Sequence, residues 1–316
     1  MTPEQMQAEL NAAKVDWYHK FEVLPGSGVF TPGIVDTGNY APRMEVMEVE
    51  PAFFKNKRVL DIGALTGAFS FLMEDLGAEA VALDVEDPEL NGFNLVHRLR
   101  KSKVKHVRAS VYDLNPVDFG TFDVVAFFGV WYHLKHPLLA LERINAVTKM
   151  GGTLMAAGAS SQRWFHDDRD DTGMMGADFA EISRDNLKNP DAMTVKNLND
   201  LPLIGFAPTQ YLRDQTNWML PNERAALGFL EVSGFEVQRS HLHTSRHKRE
   251  WNEQGVTITN HNVKAVKVAP FTPEYPASYT YMQPFTIPTA LEVQRLEREL
   301  ADAKARIAAL EAEAKR

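Results

Sequence analysis

The stretch from Arg58 to Asp84 constrains the fold most, because it reads as strand, glycine turn, helix, strand and acid. Arg58 to Ile62 is a short apolar run typical of a buried parallel strand. Gly63 and Gly67 bracket a turn in which the backbone can approach a ligand closely. The helix predicted for Ala68 to Leu76 separates this turn from Asp84, about 20 residues after the first glycine. This order predicts a nucleoside-binding site at the carboxyl ends of the strands.

The sequence of the turn, Gly63-Ala64-Leu65-Thr66-Gly67, distinguishes between two kinds of nucleoside cofactor, with and without a pyrophosphate. A dinucleotide favours G-x-G-x-x-G, in which the pyrophosphate lies on bare backbone, and Leu65 would interfere with it. The run Asp-Ile-Gly-Ala-x-x-Gly-x-Phe-Ser-Phe resembles motif I of the class I S-adenosylmethionine-dependent methyltransferases. The resemblance implies S-adenosylmethionine as the cofactor. An ordinary strand-to-helix turn of another α/β fold is the alternative.

Composition narrows the setting of this motif. A chain of 316 residues with 44% hydrophobic residues can bury one large α/β core with appendages. The absence of cysteine excludes disulfides and thiolate metal sites. No signal-peptide pattern or membrane-spanning apolar stretch is recognisable, which predicts a soluble, cytoplasmic protein. The formal charge of -8 argues against a partner bound mainly through phosphates, unless a local basic patch overrides it.

The remaining periodicity predicts an α/β fold with a seven-stranded, mostly parallel, doubly wound sheet. Continuous apolar runs indicate central strands, and apolar spacing of three or four residues indicates helices. The resemblance to class I methyltransferases implies that the last two strands form a hairpin, with one strand antiparallel to the rest. The predicted strands are Val104–Ala109, Val124–Phe128, Thr153–Ala157, Phe235–Arg239 and Asn262–Val268, and the predicted helices are Pro3–Val15, Pro137–Lys149 (closed by Gly151-Gly152) and Glu223–Val232.

Four stretches extend the resemblance to one branch of these methyltransferases, which includes the tRNA wobble-uridine oxyacetic-acid methyltransferases. They are motif I, Trp17-Tyr18-His19, Gly129 to Pro137, and Asn217 to Asn222 before a helix. Two features depart from the tRNA enzymes: the form of motif I, and Lys264 where they place a carboxylate-gripping arginine. The motif I variant is more similar to bacterial relatives that modify small molecules or surface sugars.

The resemblance implies the site residues and no metal. His133 is the candidate base or acceptor-orienting group, and Tyr132 lies beside it. A structural histidine and a pair of core aromatics are the alternatives for this segment. Asp84 would accept from the ribose hydroxyls and Asp113 would hold the adenine amino group. The full set of cofactor-binding candidates is Asp61, Gly63, Ala64, Gly67, Asp84, Asp113, Phe128, Trp131 and Trp17.

Three further segments have two interpretations each. The acidic tract from His166 to Asp171 could bind a divalent cation, although a solvated loop is favoured. Arg246 to Trp251 has the composition of a nucleic-acid contact, although a polar turn before the last strand is favoured. Trp17, Tyr18, His19 and Phe21 form either a flap over the cofactor or a plug at the open end of the sheet.

The heptad spacing from Val293 to Ala314 predicts a coiled coil and hence a homo-oligomer, with an amphipathic helix on the domain as the alternative. We divide the chain into residues 1–54 (amino-terminal helix and flap), 55–269 (methyltransferase domain with an insertion at 160–215), 270–289 (linker) and 290–316 (coiled coil). The expected function is methyl transfer from S-adenosylmethionine to a hydroxyl of a sugar or small metabolite. The alternatives are a tRNA wobble-uridine methyltransferase and a non-catalytic cofactor-binding module.

Overall fold

The computed structural model describes residues 1–33, 35–36, 40–161, 202–206, 216–249 and 252–271, with Lys304 and Arg306. Short 3-10 helices cover Pro51–Phe54, Val111–Asp113 and Trp131–His133. In chain order, the helices are α1 (Pro3–Ala12), α2 (Ala41–Val46), α3 (Ala68–Asp75), α4 (Phe93–Arg100), α5 (Pro116–Phe119), α6 (Pro137–Val147) and α7 (Glu223–Val232). The strands are β1 (His19–Lys20), β2 (Val35–Asp36), β3 (Arg58–Ile62), β4 (Glu79–Asp84), β5 (Lys105–Arg108), β6 (Phe122–Phe128), β7 (Thr148–Ser160), β8 (Ile204–Phe206), β9 (Met219–Pro221), β10 (Phe235–Arg249) and β11 (Asn252–Lys267).

A seven-stranded sheet in the order β10-β11-β7-β6-β3-β4-β5 organises the described chain. Strands β3 to β7 pair in parallel, and β11 is antiparallel to both β7 and β10. The predicted α/β fold with one antiparallel strand is therefore confirmed. Strands β4 and β5 follow β3 on one side of it, whereas β6 and β7 lie on the other side. The boundary between β3 and β6 is therefore the topological switch point of the sheet.

Both faces of this sheet are covered, which explains the continuous apolar runs of β3, β4 and β6. One layer buries α3 and α4 through Phe69, Phe71 and Phe93. The opposite layer buries α6 and α7 through Ile144 and Leu230. The helices therefore follow the periodicity of the sequence because each buries one apolar stripe against the sheet.

The amino-terminal segment belongs to the first of these layers. Met6, Leu10, Phe21 and Met44 are buried in the same core as α3 and α4. Arg100 of α4 donates to Asp75 and to the backbone oxygen of Val23, which ties this segment to the sheet-covering helices. The described part of the amino-terminal segment is thus packed on the sheet, and the division of the chain into domains stays a prediction.

The carboxyl end of α6 differs from the expectation. The helix ends at Val147, and β7 begins at once with Thr148, so Gly151 and Gly152 lie inside the strand. A register shift between Phe122 and Val124 accommodates the extra residues. Lys267 caps the helix by donating to the backbone oxygens of Asn145 and Thr148 at 2.7 and 2.9 Å, which takes the role expected of the glycines.

The last hairpin is longer than predicted. Beyond the pair Thr259–Ser160, β11 pairs with β10 alone, up to Arg249–Asn252. Residues Arg246–Arg249 accordingly lie in β10 and not in a polar turn, which corrects the favoured interpretation of that basic run. The polar residues of this ribbon carry no clear apolar alternation, which is why its length was missed.

Several predicted segments lie outside the described residues. They include the acidic tract from 166 to 171, most of the insertion at 160–215, most of the linker at 270–289 and the coiled coil at 290–316. Within the insertion, β8 pairs antiparallel with β9. Lys304 and Arg306 of the tail are helical. In the part of the chain that the structure describes, no helix combines the length and apolar character needed to cross a membrane.

The cap on α6 makes a stability prediction. Lys267→Met should lower the free energy of unfolding by about 1–3 kcal/mol, because two buried carbonyls lose their donor. Chemical denaturation measures this change. Lys264→Met is the matched control, since the Lys264 Nζ donates to Glu48 at a more exposed position of the same strand, and it should cost less than about 1 kcal/mol. Equal losses in both variants would contradict the capping role.

Candidate active site

The candidate site lies at the carboxyl ends of β3 and β6. Gly63 follows β3 with φ +74°, and Gly129 follows β6 with φ +73°. A Cβ on Gly63 would stand 2.5 Å from the Cγ2 atom of Val130. Glycine is required there because the two strand ends approach each other closely and because the backbone is left-handed.

Asp84 joins the turn after β3 to the loop after β4. Its Oδ2 accepts from the Leu65 N–H at 2.7 Å, and its Oδ1 accepts from the Glu86 N–H at 2.9 Å. Each carboxylate oxygen keeps a second lone pair for another donor. The side chain is buried and fixed, so a ligand hydroxyl group would meet an acceptor that is already oriented.

Two residues of the turn have roles that differ from the sequence interpretation. Gly67 has φ +87°, and a Cβ there would stand 2.7 Å from the rings of Phe71 and Phe93. Its lack of a side chain serves core packing, a role that the sequence interpretation did not include. Leu65 has φ +47°, so it adopts the left-handed conformation that glycine favours. Ala64, which precedes Leu65, is buried, with its N–H bonded to the Leu83 oxygen.

Asp61 is a buried acid beneath the turn. The Ser70 hydroxyl donates to its Oδ2 at 2.7 Å. Burial, opposed by the Ser70 hydrogen bonds and reinforced by the charge of Asp84, raises the pKa of Asp61 to about 7. A cation placed near Asp61 would therefore favour its ionised form.

Arg43 of α2 and Tyr40, which directly precedes this helix, complete this side of the site, and the sequence interpretation missed both. The Arg43 guanidinium lies 4.6 Å from the ring centre of Phe128 and 5.7 Å from that of Tyr40. Burial lowers the pKa of Arg43 and raises that of Tyr40, which also interacts electrostatically with Asp61. The i, i+3 spacing of Tyr40 and Arg43 before β3 was the available signal.

His19 lies close enough to this cluster for its charge state to depend on it. Burial, reinforced by the Arg43 charge, lowers the pKa of His19 to about 4. Its ring is therefore neutral at pH 7. Trp17 packs on Gly92, where a Cβ would stand 2.6 Å from the indole, and its buried N–H has no partner among the described residues. The amino-terminal aromatics thus reach the loop that follows Asp84.

The residues of the 3-10 helix after β6 lie in different environments. Trp131 is buried, packs on Gly158 and donates from its indole nitrogen to the Ala159 oxygen at 2.9 Å. This placement favours the core role for Trp131. The Tyr132 hydroxyl instead lies 3.5 Å from the position of a Cβ on Gly129, at the end of β6. Tyr132 also interacts electrostatically with Arg43.

His133 and Asp113 have defined partners. The His133 Nδ1 lies 2.8 Å from the Thr216 hydroxyl, and its ring centre is 4.3 Å from that of Tyr132. Asp113 is buried and accepts from the Ser110 N–H at 2.9 Å in a capping box. The described residues contain no group of three histidine, aspartate or glutamate side chains that could hold a metal ion.

Comparison with known proteins agrees with this geometry. Residues 60–156 match the family described as "Methyltransferase domain". The chain is 37% identical over 98 residues to a ubiquinone biosynthesis O-methyltransferase of Xanthomonas campestris pv. campestris (strain B100), a match that covers 31% of this chain and 41% of that relative. It is 31% identical over 101 residues to a tRNA U34 carboxymethyltransferase of Desulforapulum autotrophicum, covering 32% of this chain and 31% of that protein.

The chain therefore spans less than half the length of these curated relatives. Among solved structures, the amino-terminal domain of EvdMO1 with SAH bound has a TM-score of 0.55 at 18% sequence identity, and the match covers 84% of this chain and 98% of that domain. At this identity, the match supports the class I methyltransferase fold.

The packing role of Gly67 is testable. Gly67→Ala should lower the free energy of unfolding by about 3 kcal/mol, because the methyl group meets two aromatic rings and the backbone is left-handed. Gly228→Ala is the control, since a Cβ at that position of α7 would have no atom within 4 Å, and it should raise stability by up to about 1 kcal/mol. A Gly67→Ala protein as stable as the wild type would contradict the packing role.

Proposed function

We propose that this chain, whose residues 60–156 form a methyltransferase domain, transfers a methyl group from S-adenosylmethionine to a hydroxyl of a sugar or another small metabolite. The observation that carries the proposal is that a cation and an acid both act on Tyr40. The half-buried Arg43 guanidinium lies 5.7 Å from the Tyr40 ring centre, and the buried acid Asp61 interacts electrostatically with the same tyrosine. This pair matches the carboxylate and ammonium groups of an amino acid, which S-adenosylmethionine carries at one end.

The Arg43 cation supports this assignment because it forms no ion pair with any carboxylate whose side chain the structure describes. Its half-buried guanidinium lies over the rings of Tyr40 and Phe128. A cation that is partly withdrawn from water without an anionic partner is costly. We therefore assign Arg43 to the cofactor carboxylate and Asp61 to the ammonium group.

The other end of the cofactor would lie along the loop after β4. Asp84 presents oriented lone pairs to the ribose hydroxyls. Val85 and Leu90 are apolar yet 59% and 66% exposed, so they offer an uncovered surface to the flat adenine ring. Gly63, Ala64, Asp113 and Phe128 complete the proposed cofactor-binding set, in which Gly67 acts through packing.

The acceptor side is proposed to be the end of β6. The bound cofactor supplies a methyl group that is already activated on a sulfonium. The chain must then align the acceptor oxygen and remove its proton. His133 is the proposed base or orienting group, because Thr216 fixes its ring, and Tyr132 is placed beside the end of β6. The O-methyltransferase among the relatives supports an oxygen acceptor.

The second candidate function is tRNA wobble-uridine modification, which the tRNA U34 carboxymethyltransferase among the relatives supports. It requires Lys264 to face the site together with the basic residues of β10. Lys264 instead donates to the Glu48 oxygen at 3.0 Å, and Arg239 pairs with the Glu48 carboxylate. These contacts favour the small-molecule acceptor. Assembly through the tail, including the non-catalytic alternative, remains a prediction because the tail lies outside the described residues.

Isothermal titration calorimetry tests the cofactor assignment. S-adenosylmethionine and its demethylated product should bind, whereas NAD should not. Asp84→Ala should weaken binding by at least about 100-fold, or about 2.7 kcal/mol, because the ribose acceptor and the fixed turn are lost together. Glu79→Ala is the control, since that side chain pairs with Arg58 at the surface, at the opposite end of the same strand, and it should bind like the wild type.

Binding of NAD, or unchanged affinity in Asp84→Ala, would refute the proposal. Mass spectrometry of co-purifying small molecules and of methylated products from candidate sugars and phenols then tests the acceptor. Methylation of tRNA without methylation of any small molecule would select the second candidate function.

The raised pKa of Asp61 predicts a pH dependence of cofactor binding. In the free protein the carboxyl group is protonated below about pH 7, and the bound ammonium group favours the ionised form. Affinity should therefore rise by about fivefold to tenfold between pH 6 and pH 7.5. Asp61→Asn, which cannot ionise, should remove this slope in calorimetric titrations. The same slope in wild type and variant would contradict the assignment.

A further inference from the structure

A buried polar chain lies behind the site, on the face of the sheet opposite Arg43. His261 of β11 pairs with Gly158 of β7 and Leu242 of β10, and its side chain is fully buried. Its Nε2 lies 2.8 Å from the Ser240 hydroxyl. That hydroxyl lies 2.6 Å from the Glu223 carboxylate at the start of α7. Glu223, Ser240 and His261 thus form a hydrogen-bonded chain of polar side chains that runs from the surface to the buried imidazole.

The directions of these hydrogen bonds follow from the chemistry of the groups. A carboxylate only accepts, so the Ser240 hydroxyl donates to Glu223 and accepts from His261. The proton of the neutral His261 ring is therefore on Nε2, and its buried Nδ1 has no partner among the described residues. Burial lowers the pKa of His261 to about 4, so the ring is neutral at pH 7. His241 is the other titratable group that acts on this ring.

The imidazole faces the indole of Trp131, with 6.0 Å between the ring centres. Trp131 is held on its other sides by Gly158 and by its hydrogen bond to Ala159. It opens the 3-10 helix that carries Tyr132 and His133. The position of these two residues therefore depends on the position of the Trp131 ring.

The same polar chain reaches this helix by a second route. The segment that leads into Glu223 also contacts this helix. Its Trp218 backbone N–H donates to the Tyr132 backbone oxygen at 2.8 Å, and its Thr216 hydroxyl lies beside the His133 ring. Glu223 thus connects the segment that holds Tyr132 and His133 to the imidazole that holds Trp131. A purely apolar side chain at position 261 would fill space without making this connection.

We propose that His261 is a positioning residue, which with Ser240 and Glu223 fixes the Trp131–His133 helix in the orientation that the acceptor side requires. The inference rests on the proposed function for the role of Tyr132 and His133. It does not depend on the cofactor contacts, since Arg43, Asp61 and Asp84 lie elsewhere in the site.

The test uses nuclear magnetic resonance of the full chain with and without the demethylated cofactor product. The signals to follow are the Trp131 indole N–H, assigned with Trp131→Phe, and the His133 ring Cε1–H, assigned with His133→Gln. His261 faces the first residue of the 3-10 helix and His133 is its last, so a packing change confined to the Trp131 ring would leave the His133 signal unmoved. His261→Leu should shift both signals, and His261→Gln should restore the His133 signal in part.

Ser240→Ala keeps the proposal testable if His261→Leu fails to fold, because Ser240 is exposed and its loss breaks the chain without emptying the core. His243→Ala, at an exposed position of the same strand as Ser240, is the matched control and should leave both signals unchanged. Affinity for the demethylated product should change by less than about twofold in every variant.

A His133 signal that is unmoved in both His261→Leu and Ser240→Ala would overturn the inference. Absence of product binding in the wild type would instead refute the proposed function, while the NMR comparison of the free proteins would still decide the role of His261.

Discussion

The carboxylate of Asp84 is the interaction on which the geometry of the site depends. By accepting from Leu65 and Glu86, it joins the turn after β3 to the loop after β4. Without this acceptor, two partly buried N–H groups would lose their partners and Leu65 would lose a restraint on its left-handed backbone. The residue that is proposed to bind the ribose therefore also builds the turn in which the cofactor would lie.

The positive charge of the site comes from the amino-terminal segment. β6 ends at the neutral Phe128, and Arg43 reaches this ring from α2. That helix is held by Met44 and Met47, which are buried in the core layer over the sheet. Packing of this layer is thus what positions the cation, and a substitution in it would reach the site through α2.

Local sequence patterns predicted the elements that bury one regular stripe. The bounds of β3 and α7 agree with the expectation, since Arg58–Ile62 is a short run with apolar residues at three of five positions and Asn222 caps α7 with its side chain. The roles of Gly67 and Trp131 could not be read in this way, because each depends on rings or backbone distant in sequence. Arg43 and Tyr40 were missed for the same reason: only the tertiary fold brings them to Phe128.

The hydrogen bonds of the turn also explain why a pyrophosphate is a poor ligand for it. A dinucleotide site presents unbonded N–H groups at the start of the helix to the phosphate oxygens. Here the N–H groups of Gly63 and Ala64 are bonded to the Leu83 oxygen, that of Leu65 to Asp84 and that of Gly67 to the Ala64 oxygen. A nucleoside that carries a sulfonium and no phosphate makes no demand on these donors. The selectivity that Leu65 suggested as a steric obstacle is therefore reinforced by the engaged N–H groups of Gly63, Ala64, Leu65 and Gly67.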